Sequence, residues 1–271
     1  MVAEFPKWGE VRESSLFGST YLISMKFTTT CLLFVLSTVP SLWAGDPPAI
    51  PPVEPAEATG WENKILLGYD SHYVFRGEML QKNVGWAQWS LDVPLSDSLN
   101  LNLNPWYYHD LDTDFNEFDL NVTLSASLGT YEVAAAYNGY YYPRGGLGNG
   151  EGLGDEQEFA LSVAHDIFSL KATALAAYNV GRDGYYFELL VAQPYEINDT
   201  LSVELGVAVG FDADYFSSGL GFNHVQAMLS FPIKLTVSIE LTPYVAGNFP
   251  GGHLDYEDTR VFGGVQLGFS F

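Results

Sequence analysis

Val261-Phe262-Gly263-Gly264-Val265-Gln266-Leu267-Gly268-Phe269-Ser270-Phe271 ends the chain. Counting back by twos puts Phe271, Phe269, Leu267, Val265, Gly263 and Val261 on one face of a strand. Ser270, Gly268, Gln266 and Gly264 take the other face, with Phe262 the exception. Side chains alternate across a strand with period two, so one face suits hydrocarbon and its neighbour suits water. In a bilayer such a strand leaves no backbone group unpaired only if its sheet closes on itself.

The same alternation runs backward through the chain to Trp61, in twelve segments. They are 63–76, 85–95, 99–108, 117–128, 131–142, 156–167, 170–181, 185–196, 201–211, 222–231, 235–242 and 260–271. The third sets Leu99, Leu101, Leu103, Pro105 and Tyr107 against Asn100, Asn102, Asn104, Trp106 and Tyr108. The fourth sets Phe118, Leu120, Val122, Leu124, Ala126 and Leu128 against Glu117, Asp119, Asn121, Thr123, Ser125 and Ser127. The ninth, Leu201 to Phe211, and the eleventh, Leu235 to Thr242, are equally regular. Alternate links are short: 96–98, 129–130, 168–169, 198–200 and 232–234. The others, 77–84, 109–116, 143–155, 182–184, 212–221 and 247–259, are mostly longer and rich in glycine and charge. This asymmetry, with an even strand number that leaves both ends on one side, predicts an all-β fold. Its form is a transmembrane antiparallel β-barrel of about twelve strands in an up-and-down meander. Tyr107, Tyr137, Tyr141, Tyr185, Phe211, Phe231 and Phe269 fall near strand ends on the apolar face, where interfacial girdles belong. A soluble two-sheet sandwich would alternate too, but it needs neither those girdles nor an export signal.

Composition agrees: 15% aromatic, 16% charged and 27 glycines, with a net charge of −22. Met25-Lys26, the apolar run Cys31–Leu36 and Ser41-Leu42-Trp43-Ala44 read as a signal peptide over 25–44, cut after Ala44. Residues 1–24 then read as an over-long start ahead of Met25, and the proline-rich stretch 45–60 as a periplasmic linker. The barrel itself is 61–271. Cys31 leaves with the signal, so no disulfide, cysteine metal site or cofactor is expected. The acidic balance also excludes nucleic acid as a partner.

If the polar faces line an interior, so do Lys64, Asp70, Arg76, Asp92, Glu117, Asp119, Glu132, Glu158, Asp166, Lys171, Glu188, Glu204 and Glu240. Ten acids oppose three bases there, so a wet lumen should favour cations or neutral solutes. Trp106, Tyr108, Tyr140, Tyr142 and Tyr244 are expected as inward aromatics near the outer mouth, free to stack a solute or brace the rim. Twelve strands leave a narrow bore that a loop can block, and the glycine-rich 143–155 is flexible enough to do it.

Two resemblances bear on function. A closing strand with a terminal aromatic, here Phe271, resembles the signal read by the barrel-assembly machinery of bacterial outer membranes. The run Tyr73-Val74-Phe75-Arg76-Gly77 resembles the opening strand of the TorF-like family of outer-membrane porins. That likeness implies an outer-membrane channel passing small solutes by passive diffusion, with membrane lipid as its surroundings. A closed structural or adhesion barrel is the alternative. An outer-membrane hydrolase is the weaker one: His165 has Ser162 and Ser169 near it in sequence only, while Asp110, Asp112 and His253 imitate a barrel protease. The run Asp110–Asp114 suggests calcium, yet Phe115 and Asn121 stand where a helix-hand loop needs glycine and glutamate. No catalytic or metal-ligating residue is therefore assigned.

Overall fold

The computed structural model describes residues 60–143 and 155–271. The expected signal and linker, and the centre of the glycine-rich loop, lie outside them. Twelve long strands follow in order: β1 (Glu62–Phe75), β2 (Glu78–Ser96), β3 (Leu99–Asp110), β4 (Asn116–Leu128), β5 (Tyr131–Tyr141) and β6 (Glu156–Ile167). They continue with β7 (Leu170–Asn179), β8 (Gly184–Glu196), β9 (Ser202–Ala213), β10 (Leu220–Ser230), β11 (Ile239–Pro250) and β12 (Arg260–Ser270). Each is antiparallel to its sequence neighbours, and β12 returns to pair with β1, closing the sheet into an up-and-down barrel. The seam is sealed at its foot by the last residue. Phe271 donates its amide to the Asn63 carbonyl at 3.1 Å, and the Asn63 amide returns a bond at 3.3 Å.

Burial follows the alternation. Along β8, Tyr185, Phe187, Leu189 and Val191 are exposed while Tyr186, Glu188 and Leu190 are buried. A sandwich would bury its apolar face; here the apolar face is the exposed one, as a lipid-facing wall requires. Leu189 lies mid-strand opposite Ala174 and Val209. Leu189→Lys should cost about 2–4 kcal/mol of stability in bilayers, read as a lower urea midpoint in liposomes. Lysine at Ser127, near the rim, should cost far less.

Two segments depart from the sequence reading. The link 77–84 is no loop: β2 starts at Glu78, after a two-residue turn of Arg76 and Gly77 at φ 50° and 87°. The eleventh strand runs 239–250 rather than 235–242. Residues 235–238 form a bend in which the Leu235 and Thr236 amides both donate to the Ile239 carbonyl, and the Ser238 amide to the Thr236 hydroxyl. Val237 is 89% exposed there. Polar side chains that bond nearby amides compete with a ladder, so alternating letters alone do not make a strand. Ahead of the bend, Ile233–Lys234 pairs briefly with β11.

Candidate functional site

The first hairpin leaves the wall. β1 pairs with β12 from Lys64 to Asp70 and no further, and β2 pairs with β3 only from Val84 onward. Between those points β1 and β2 pair with each other, through a bulge at Tyr73/Val74. Residues 71–83 are thus an arm joined to the barrel at its base, where the Ser71 hydroxyl accepts from the Gly263 amide and the Asn83 carbonyl from Leu111. Five consecutive residues, Tyr73 to Gly77, are buried. Tyr73 and Phe75 belong to one buried cluster and Val74 to another, so both faces of this arm are covered: it lies inside the lumen.

Its side chains divide accordingly. Tyr73 and Phe75 pack with Trp106, Tyr108, Tyr140 and Tyr186, with ring centroids 4.6 Å apart for Tyr73–Tyr108 and 5.7 Å for Phe75–Tyr140. Val74 packs the other way, with Leu190, Ala208, Met228 and Phe262. The tip reaches walls that stand nearly opposite one another. On β6, Glu158 takes both terminal guanidinium nitrogens of Arg76, one at 2.6 Å. On β11, Asn248 donates to the Gly77 carbonyl at 2.7 Å. Gly77 is required twice over. Its φ is 87°, and a Cβ there would sit 2.6 Å from the His224 ring.

At the tip the Arg76–Glu158 pair is fully enclosed. The Glu158 carboxylate also accepts from Asn138 (3.0 Å), Tyr215 (3.3 Å) and Tyr140 (3.5 Å). Arg76 lies 4.3 Å over Tyr186, 4.9 Å over Phe75 and 5.0 Å over Tyr215. Tyr215, in the β9–β10 loop, is shared with a second arginine: Arg182 stacks 4.9 Å from its centroid and clasps Glu156 at 3.0 Å. Burial raises the Tyr215 hydroxyl above the usual tyrosine range, and Glu158 adds to this while the arginines oppose it. It therefore stays a neutral donor. Burial acts to lower Arg182, but Tyr215 and Glu156 outweigh it and hold the guanidinium above its ordinary value.

The residues singled out from sequence fall mostly on the buried face. Asp70 accepts from Trp86 (2.8 Å) and Tyr244 (2.6 Å), Asp92 from Asn100 and Asn102, Glu188 from Tyr186 and Glu240 from Thr242. Glu132 pairs with Lys171 at 2.7 Å, and Glu117 and Asp119 are buried on β4. Glu204 is half-buried, while Asp166 is exposed near the end of β6, where it stands opposite Lys171 in the ladder with β7. The expected mouth aromatics are not an open strip. Trp106, Tyr108 and Tyr140 are buried, Tyr142 packs on Phe115, and Tyr244 is held by Asp70. The arm covers the first three. Period-two counting missed this, since it assigns Tyr73 to the lipid face; the Arg-Gly pair, a tight-turn signal, was the available clue.

Ser162 is buried on the inner face, whereas His165 turns outward, contacts the Thr130 carbonyl and stacks on Tyr131. His253 pairs with Asp212 at 2.9 Å, and Asp110 caps its own loop by accepting from the Asp112 and Thr113 amides. Among the described residues no group of three potential ligands converges on a metal position.

No family model matches the chain, and no curated protein matches it in sequence. Solved structures do. A crystal structure of an outer membrane channel from Pseudomonas putida F1 aligns with a TM-score of 0.53 at 11% identity, covering 81% of this chain and 98% of that one. The KdgM porin aligns at 0.48 and 8% identity over 77% of this chain and 99% of that one. The NanC porin aligns at 0.47 and 10% identity, over 77% and 98%. At 11% identity the first likeness establishes the shared fold and nothing finer; the two porins lie farther off. The alignments cover all three of those chains almost end to end.

Proposed function

We propose that this chain is a porin-like channel of the bacterial outer membrane that passes small cations or neutral solutes through a bore narrowed by its own first hairpin. One observation carries the reading: a closed twelve-stranded wall, apolar on its exposed face, encloses a buried face lined with carboxylates, amides and hydroxyls. Charge on a low-dielectric wall selects ions of opposite sign. Export through the signal at 25–44, cleavage after Ala44 and assembly through the Phe271 strand complete the proposal. The Tyr73–Gly77 run supports kinship with the TorF-like porins, and in this barrel it forms the tip of the arm. The covered arm also favours a second reading, a closed structural barrel.

Planar bilayers separate the two. Under a potassium chloride gradient the intact barrel should give small, cation-selective steps. Anion preference would defeat the acidic-lumen reading, and silence from both the intact barrel and one with residues 72–82 replaced by a tight turn would establish the closed one.

A further inference from the structure

Arg76 sits in its pocket as a ligand sits in a receptor. We infer that the Glu158 pocket is a binding site for organic cations bearing a guanidinium or ammonium group, which compete with Arg76 for the carboxylate; the inference rests on the channel reading for the route by which such a solute arrives.

Apart from Phe75, which lies over Arg76 from the arm itself, the pocket is built by the wall and one of its loops. Glu158 is fully buried on β6. Asn138 and Tyr140 come from β5, Tyr186 from β8 and Tyr215 from the β9–β10 loop. None of these residues belongs to the arm. What would be left without Arg76 is a buried carboxylate between aromatic faces, an arrangement that strongly disfavours vacancy and attracts a flat or compact cation. A guanidinium matches it best, because two parallel N–H bonds fit one carboxylate.

The tethered occupant fits imperfectly. Arg76 reaches Glu158 from a left-handed backbone conformation, φ 50°, that non-glycine residues seldom adopt. Its Nε is buried without a hydrogen-bond partner. The His224 ring beside the tip is fully buried, and both of its nitrogens lack partners as well. The arm that carries Arg76 takes no ladder bonds from β12 or β3 beyond its base. A free solute has none of these constraints. It competes only against the high local concentration that tethering confers.

The test uses the full-length barrel in detergent, titrated calorimetrically with agmatine at constant ionic strength. Arg76→Ala should bind agmatine about tenfold or more tightly than the intact protein, because the tethered competitor is gone. The double change Arg76→Ala with Glu158→Gln should abolish binding. If Arg76→Ala fails to fold, Arg76→Gln keeps a polar tip and should give the same order. Equal affinity in the intact and Arg76-substituted barrels, or binding that survives loss of Glu158, would overturn the site. Agmatine binding without ion current overturns the channel reading and leaves the site standing; current without agmatine binding does the reverse.

Discussion

Replacing residues 72–82 with an Asn-Gly turn should raise single-channel conductance by about an order of magnitude, since a twelve-stranded bore is intermediate between a filled eight-stranded barrel and an open sixteen-stranded one. The excision is geometrically clean. Asp70 and Val84 already face each other across β1 and β2, so a tight turn one residue further on joins strands that are in register. It removes Tyr73, Val74, Phe75 and Arg76, the side chains that fill the space between the two walls, and leaves the ladders of β1 with β12 and β2 with β3 untouched. The new channel should also be more cation-selective, because Arg76 is lost while the wall acids stay. Conductance unchanged from that of the intact barrel would show that the arm is not the constriction.

Glu158→Gln should be among the most damaging single substitutions in the chain. It removes the negative partner of a guanidinium that is 1% exposed, and breaking one side of a buried pair costs about 3–5 kcal/mol. Arg76 then has two outcomes. Either the barrel loses stability by that amount, seen as a lower urea midpoint in detergent, or the arm swings out and the cost reappears as increased conductance and proteolysis within 71–83. Replacing Arg76 with methionine in the same background should restore most of the midpoint, because a neutral tip no longer needs the carboxylate. A Glu158→Gln protein as stable and as closed as the parent would mean the ion pair contributes nothing to holding the arm.

The wall was readable without coordinates. Period-two patterns such as Leu99–Tyr108 and Phe118–Leu128 reflect a solvent on each side of a single layer, and each strand carries that information locally. Errors arose where local pattern and long-range partner disagree. Leu235–Thr242 alternates perfectly, but its first four residues form a bend whose Leu235 and Thr236 amides bond the Ile239 carbonyl, and the ladder with β10 begins further along, Ser230 standing opposite Tyr244. Tyr73 is placed on the lipid face by counting, and is buried because its whole hairpin leaves the wall. How the carboxylates divide into paired and donor-capped groups is decided by partners distant in sequence, such as Tyr244 for Asp70.

From its sequence alone this protein is a strand-built wall with one apolar and one polar face and a terminal strand suited to close it, because lipid and water imprint their alternation on neighbouring residues. Only the tertiary structure decided what occupies the interior. Arg76 and Glu158 are 82 positions apart, and no local periodicity reports that a turn at one strand tip meets a carboxylate across the barrel. That contact depends on closure of the whole ring, which brings distant strands within reach of one side chain.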